Sequence, residues 1–529
     1  MLAGLHFGIR MLPKAAAVMA AAGSLNMLWT AFWRLMLKLP FSSHFNITEE
    51  MKLFIILITI FVCRIPWAHQ LTGNNEVLID SNNIERLNEI LNNNKKNTIF
   101  TFKSDNYLIK STIILKNMSN VVLNFNQSSI TVLSKSSAIS IIDSYNLKIN
   151  GLLIDYQVKP NSIGEVSSVN EKIFFANKSK NKSNDRIYQL IEILDGKITR
   201  DSKRFHFGAD SRTGKYISDG VYDFTLAKVP PGKYIAVHSD YGPPAIAVYP
   251  SNILEYGSGD ISISDVEIKT SFGFGIHVVN LNGDFLLENS KIYGSLDGII
   301  SWDGVHISSF FGRIYIKNNT IGMIGDDAIN IGSPFVSAKK ISPGKYHLKK
   351  KWHYVKNGDE ISAYGADGVY LGDYYIDYKN KIANINLEND PDVFYFYLKK
   401  YAGGSFYIED NTIADCSCHA VLAQVGSGYI KNNIINNINR NAIRLRGGSF
   451  EWGEGASLDS VIVSGNKINK TGVDYGPGKW GVIRVYGDVP SLMKNINIKN
   501  NNISDFKNKC ISFDDYVDVK MEDNLCVDD

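Results

Sequence analysis

Short runs of alternating apolar and polar residues, set off by Asn, Gly, Ser and Asp, dominate the chain from about residue 98 onward. The clearest repeat is a strand, then Asn, one further residue and Ile. Ile314-Tyr315-Ile316-Lys317-Asn318-Asn319-Thr320-Ile321 is one copy. Tyr407 to Ile413, Tyr429 to Ile435, Val461 to Ile468 and Ile496 to Ile503 are others, and Val519 to Asn524 is the last. The final step is 524 − 501 = 23 residues. That is one coil of a parallel β-helix, which spends roughly 20–30 residues per turn and stacks turns about 4.8 Å apart. Asn suits the repeated corner because it tolerates the left-handed conformation and its amide can bond copies above and below. The Ile two residues on should face the core. The fold expected is all-β: a parallel β-helix.

The pattern also marks where the repeat begins and breaks. Asn82 to Asn93 places Ile84, Leu87, Ile90 and Leu91 on one face, which predicts a short amphipathic helix. Ahead of the strands, such a helix would cap the open first coil. Residues 71–157 then hold the cap and first coils. Residues 158–235 lose the rhythm and read as a β-rich insertion. The rhythm returns over 236–333. A second β-rich insertion, barrel-like or sandwich-like, covers 334–404, and the last coils cover 405–529. Because it starts just after an Asp-Asp pair, the second insertion is expected to wall or cover the site.

Stacking the coils predicts what shares one face. Asp303-Gly304-Val305-His306 aligns with Asp327-Ala328-Ile329-Asn330, an offset of 327 − 303 = 24 residues. One column then reads Phe274, Asp303, Asp327, His419, Asn441. Another reads His277, His306, Asn330, Leu422, Arg444, with Arg484 next. A third, Gly275, Gly304, Ala328, Ala420, Ala442, holds only small residues, leaving room for a ligand or permitting a tight bend. Asp303, Asp326 and Asp327 form a like-charge cluster of the kind that handles a proton or a cation. Consecutive strand residues point to opposite faces, so Asp326 and Asp327 share a cleft only if the chain bends at Gly325. Neighbouring carboxylates should raise one pKa, and adjacent rungs should give the ~6.5–9.5 Å carboxyl separation of an inverting glycosidase. His277, His306, Asn330, His419 and Arg444 are the expected substrate contacts, and Trp452, between Glu451 and Glu454, should stack on a sugar.

Composition sharpens the picture in three places. Charge is near balance, 56 Lys+Arg against 53 Asp+Glu, which argues against a nucleic-acid binder. Met51-Lys52 followed by the apolar run Leu53 to Cys63 reads as a signal peptide over 51–70, so the body is expected outside the cytoplasm, secreted or periplasmic. Residues 1–50 are then either an upstream extension or, through the apolar stretch 15–37, a membrane anchor. The cysteines show no second ligand pair for zinc, and no metal or cofactor is expected.

With these residues in view, segment 297–332 resembles the β-helix α-galactosidases of glycoside hydrolase family 110 and, more distantly, the family 28 polygalacturonases. Trp452-Gly453-Glu454-Gly455 is similar to a Trp-x-Glu segment of family 110, and the resemblance covers roughly 230–470. It implies a right-handed helix and an inverting glycosidase, α-galactosidase-like. By position, Asp326 resembles the general acid, and Asp303 and Asp327 the pair that activates water; Glu454 joins the substrate contacts. The sequence departs where Asn330 is followed by Ile331-Gly332 rather than His. Cys418-His419-Ala420 and Arg444-Leu445-Arg446 stand only loosely for the family 28 signatures. Two other functions fit the same residues: a polysaccharide lyase with Ca²⁺ on the Asp cluster, and a non-catalytic adhesin or tailspike. The partner expected in each case is carbohydrate, with Arg444 and Arg484 pointing to an acidic or sulfated one.

Overall fold

The computed structural model describes residues 75–528 except 170–171, 178–186, 208–214, 219–220, 224–228, 239–241, 256, 349–354, 366–368, 387–392, 402–403, 449–452, 473–479, 488 and 490–491. The expected signal peptide, the stretch before it, and Trp452 lie outside the described residues. Among the described residues no helix is long and apolar enough to cross a membrane.

The chain winds into a parallel β-helix with three strands to a coil. One coil runs through Val305–Phe311, Arg313–Lys317 and Thr320–Ile324, then climbs to Ile329–Gly332, which pairs in parallel with the first. The strands equivalent to Val305–Phe311 form one continuous parallel sheet, ten strands among the described residues. The other two positions of each coil form a second, long sheet on the remaining faces, and the extended strands Ser119–Val132 and Tyr145–Tyr156 run through both. Inside, aliphatic side chains stack rung on rung. Val305, Ile329, Val421, Ile443 and Ile483 follow one another in register and are fully buried. Each such side chain contributes about 1.5–3 kcal/mol by leaving water.

Asn divides its two expected tasks between neighbouring positions. Asn318, Asn432 and Asn500 take the left-handed conformation, and Asp410, Gly465 and Asp523 occupy the same place in other coils. The following residue builds the ladder: Asn319, Asn411, Asn433, Asn466 and Asn501 each donate an amide hydrogen bond of 2.9–3.0 Å to the next, ending at Asn524. Ile321, Ile413, Ile435, Ile468 and Ile503 follow into the core.

The N-terminal helix, Leu87–Asn93, follows a first strand Asn75–Ile79 that the pattern did not predict. It covers the open edge of the ten-stranded sheet. Asn88 there donates to Thr112 O (2.9 Å) and accepts from Ile114 N–H (2.8 Å), satisfying an edge strand that would otherwise be bare. At the other end a Cys510–Cys526 disulfide ties the last coils together, while Cys416 and Cys418 are buried thiols.

Both insertions are antiparallel sheets with their own cores, and they leave the helix at different corners. The first spans Asn161–Val169 to Gly232–Val237. It departs after Tyr156 and returns at Ile246, at the corner leading into the ten-stranded sheet. The second spans Phe335–Ser342 to Val393–Leu398, where Phe335–Ser342 is shared between two pairings, and leaves from the far end of Ile329–Gly332.

Candidate active site

One corner of the helix carries the site. In each coil the chain turns from the second long-sheet strand into the ten-stranded sheet, and the residues of that turn face outward into a cavity of about 260 Å³. That is small beside the roughly 300–1,000 Å³ of typical ligand pockets. The turn 325–328 is a bend, not a strand, so Asp326 and Asp327 both reach the cavity. Gly325 is required there because a Cβ would sit 2.3 Å from Ser301 O of the coil below. The small-residue column has the same origin. A Cβ on Gly304 would lie 2.6 Å from Ala328 O, and Ala328, Ala420 and Ala442 are fully buried, so these positions permit the bend and do not open space for a ligand.

The columns stack as a ladder of hydrogen bonds. Asp327 N–H donates to Asp303 Oδ1 (3.0 Å), and His419 N–H donates to Asp327 Oδ1 (2.9 Å). In the strand column His277, His306, Asn330, Leu422, Arg444 and Arg484 pair in that order. Asp303, Asp326, Asp327, His306, Asn330, His419, Arg444 and Glu454 all line the cavity. His277 does not: it bonds Tyr249 (2.6 Å) and packs edge-on beneath His306 (5.0 Å between rings). Arg484 is also outside the cavity wall, engaged by Asp514.

The three carboxyls approach closely, with one oxygen of each within 4.8 Å of the others. All three issue from one corner of the helix and form a single cluster. Their environments differ. Asp327 is pushed well above the usual carboxylate range by burial and by the charges of Asp326 and Asp303. Asp303 is raised by burial, although its Oδ2 shares a 2.6 Å bond with His306 Nδ1. Burial pushes Asp326 upward too, but the Arg204 guanidinium at 2.9 Å, with Arg440 behind it, outweighs this and holds Asp326 below its ordinary value. The surroundings of Asp327 favour its proton and those of Asp326 favour its ionised form, the opposite order to that expected for a general acid at Asp326.

The histidines divide in the same way. Burial works against charge on His306, yet the bond and charge of Asp303 raise it, and its Nε2 meets Ser308 Oγ at 2.8 Å. His419 is driven well down by burial and by Arg444 and Arg440, and Arg444 donates to its Nε2 at 2.7 Å. Opposite them, Gln424 joins Asn330 to Glu454 through bonds of 3.4 and 2.9 Å. For a cation, the three Asp oxygens form one possible donor set, with Arg204 already on one of them. Asp327, Cys418 and His419 form another, but burial pushes the Cys418 thiol up and keeps it a poor ligand.

Arg204 is the main residue sequence reasoning missed. It lies on Arg204–His206, a strand of the first insertion, beside His206, which packs edge-on to Trp302 (5.7 Å). The insertion is fastened over the corner: Gln189 donates to Gly325 O (2.9 Å), and Asn439 donates to Arg200 O and Ser202 O (3.0 and 2.7 Å). So the first insertion, not the second, supplies side chains to the cavity. The second starts at the opposite end of Ile329–Gly332 and, among the described residues, approaches the site where Pro334 bridges Glu454 and Phe335 N–H donates to Gly453 O (2.9 Å). Arg440 was also missed, although it extends the Asp326–Cys418 column, and Arg446, noted beside Arg444 but not as a site residue, lines the cavity too.

These features define the protein as a parallel β-helix with a walled carboxyl–arginine cavity, distantly similar in structure to β-helix carbohydrate-active enzymes. No family model matches its sequence, and no curated protein does. Among solved structures it is similar to the catalytic domain of a GH87 α-1,3-glucanase in complex with nigerose, at 12% identity and TM-score 0.40, covering 87% of this chain and 58% of that one. It is also similar to the A-module of the Azotobacter vinelandii mannuronan C-5 epimerase AlgE6 (9%, TM-score 0.37, 82% and 89% covered). A third is the Yersinia enterocolitica family 28 exopolygalacturonase (9%, TM-score 0.31, 85% and 78%). The likeness is one of fold.

Proposed function

We propose that the protein is an exported glycoside hydrolase, α-galactosidase-like by the resemblance of segment 297–332. The observation that carries this reading is the convergence of Asp303, Asp326 and Asp327 in one cavity, where burial and like charge raise Asp327 and the Arg204 guanidinium lowers Asp326. Environments that separate two carboxyl pKa values supply an acid and a base at one pH. In this reading Asp327 protonates the leaving oxygen. Asp326, with Asp303 behind it, acts on the anomeric centre or its water, and His306 holds Asp303. The Cys510–Cys526 bridge supports export, since disulfides persist in oxidising compartments.

Resemblance points to inversion. The alternative for carboxyls clustered at one corner is retention through a covalent intermediate. Proton NMR of the first-formed anomer decides between them. The test of function is release of reducing ends from a panel of galactosides, glucans and uronides by the wild type and by Asp327→Asn. The acid variant should fail on natural linkages and recover on an aryl glycoside with an activated leaving group, which needs no proton. If Asp326→Asn shows that recovery and Asp327→Asn does not, the roles are exchanged. An unsaturated product abolished by a chelator would make the protein a lyase.

A further inference from the structure

The second insertion has a sheet face of its own, outside the cavity. Its strands Tyr370–Tyr375, Glu360–Gly365 and Val393–Leu398 lie side by side in that order, with Tyr370–Tyr375 at the sheet edge. Register fixes which side chains share one face. Glu360, Ser362 and Tyr364 stand opposite Tyr375, Asp373 and Tyr370. Regular pairing would set Leu371 opposite Tyr364, but the register slips there and Tyr370 takes the place. Leu371 packs on the insertion's core instead. Tyr370 and Tyr375 are an odd number of residues apart, so without this bulge they would point to opposite faces.

The inner part of that face is covered. Tyr364 stacks on Tyr395 (5.7 Å) and Tyr397 (5.8 Å), Phe335 lies 5.2 Å beyond Tyr395, and all four are buried in the main core. Phe335 is the residue whose N–H meets Gly453 O beside the cavity wall. The ring row continues outward from Tyr364 to Tyr370 (5.5 Å) and so runs from that wall to open solvent. Core packing accounts for the inner tyrosines and not for the outer two: Tyr370 is 49% exposed and Tyr375 73%. Polar groups stand between them in a braced row. Asp373 accepts from Ser362 Oγ (2.6 Å) and Lys399 Nζ (2.7 Å), and Lys399 also bonds Glu360 (2.9 Å). From Tyr364 to Glu360 the partner strand advances four residues, so the two open tyrosines stand ~13 Å apart. That is the span of a short oligosaccharide.

An exposed tyrosine offers an apolar face and a polar tip. A pyranose is built to match: its C–H face stacks on a ring, and its hydroxyls bond carboxylate, ammonium and hydroxyl groups at the edge. Charge narrows the choice. Two carboxylates, Glu360 and Asp373, surround one ammonium, Lys399, and the excess negative charge opposes a uronate or a sulfate ester.

We infer that the second insertion carries a surface site for a stretch of neutral polysaccharide, with Tyr370 and Tyr375 as stacking platforms and Glu360, Asp373 and Lys399 bonding hydroxyls between them. The site lies apart from the cavity and holds a glycan whether or not the cavity cleaves one.

Native affinity electrophoresis of the full-length protein tests this, in gels containing galactan, α-glucan, mannan or xylan, with polygalacturonate as the acidic counterpart. At least one neutral polymer should retard the wild type, and more strongly than polygalacturonate does. Tyr375→Ala should weaken that binding about 5–30-fold, the scale of an aromatic hot spot, and adding Tyr370→Ala should abolish it. Tyr375→Phe keeps the ring and should keep most of the binding. Unchanged urea midpoints, expected for so exposed a side chain, separate lost binding from lost folding. Retardation by no neutral polymer, equal retardation of the double variant, or preference for polygalacturonate overturns the inference. So does self-association in sedimentation that the double variant abolishes, which would give this edge to a second copy. Reducing-end release is read separately and bears only on the cavity.

Discussion

Replacing Arg204 with methionine removes the cation that holds Asp326 ionised while keeping most of the side-chain volume. The pair is substantially buried, with side-chain exposures of 8% for Arg204 and 23% for Asp326, and its bond is 2.9 Å. Removing one partner of a buried pair costs about 3–5 kcal/mol when the other stays charged. Asp326 can escape part of that by taking up a proton, each pKa unit being worth about 1.4 kcal/mol. The sign follows from linkage. In the wild type, Asp326 lies below its unfolded value near 3.9, so its stabilisation is present above that pH and is lost as pH falls through the lower folded value. In the variant, burial and the neighbouring carboxyls are opposed by Arg440 and the Cys418 hydrogen bond without Arg204, and the folded pKa should rise above the unfolded one. The stability deficit should therefore be small near pH 4 and widen to about 3 kcal/mol by neutrality. Urea unfolding of both proteins across pH 4–8 measures it. The acid limb of the activity profile should move to higher pH in the same variant, because a base must be ionised to work. Arg204→Lys should restore much of both effects. A deficit independent of pH, or an unmoved acid limb, would refute the assignment of Asp326 as the ionised carboxyl.

Other outcomes follow from the same geometry. Asp327→Asn should lower kcat on unactivated glycosides by about 10²–10⁴, the span of general acid catalysis, and wild-type activity should fall as pH rises through the raised Asp327 pKa. Asn433→Ala cuts the Asn ladder where the side chain makes or accepts four bonds of 2.9–3.0 Å in full burial, and should cost about 2–5 kcal/mol in chemical denaturation. Reducing Cys510–Cys526, a span of 16 residues, should cost about 3 kcal/mol in the terminal coils, seen as faster amide exchange there with little change in kcat.

Much of this was readable in advance because the repeat fixes geometry. Once Asp303 and Asp327 are one coil apart, His306 must neighbour Asn330, and the register agrees; Arg484 as the next rung after Arg444 agrees as well. The same arithmetic would have found Arg440. It could not find Arg204, which reaches Asp326 across 122 positions from an insertion that has no period to count. Protonation was hidden for that reason: which of three clustered acids keeps its proton depends on a cation contributed by the part of the chain without a repeat. The insertion roles were misjudged because distance from Asp327 in sequence is a poor guide when the corner of departure decides what reaches the cavity.

A stack with its chemistry along one edge has a quantised reach. The spacing between the floor that moves protons and the basic ceiling above it can change only by whole turns, because the interlocked interior reconnects only when a full repeat is added or removed. Adapting such a pocket to a longer saccharide would therefore proceed by duplicating the intervening turn, the one that carries His419, with the machinery at each end left as it stands.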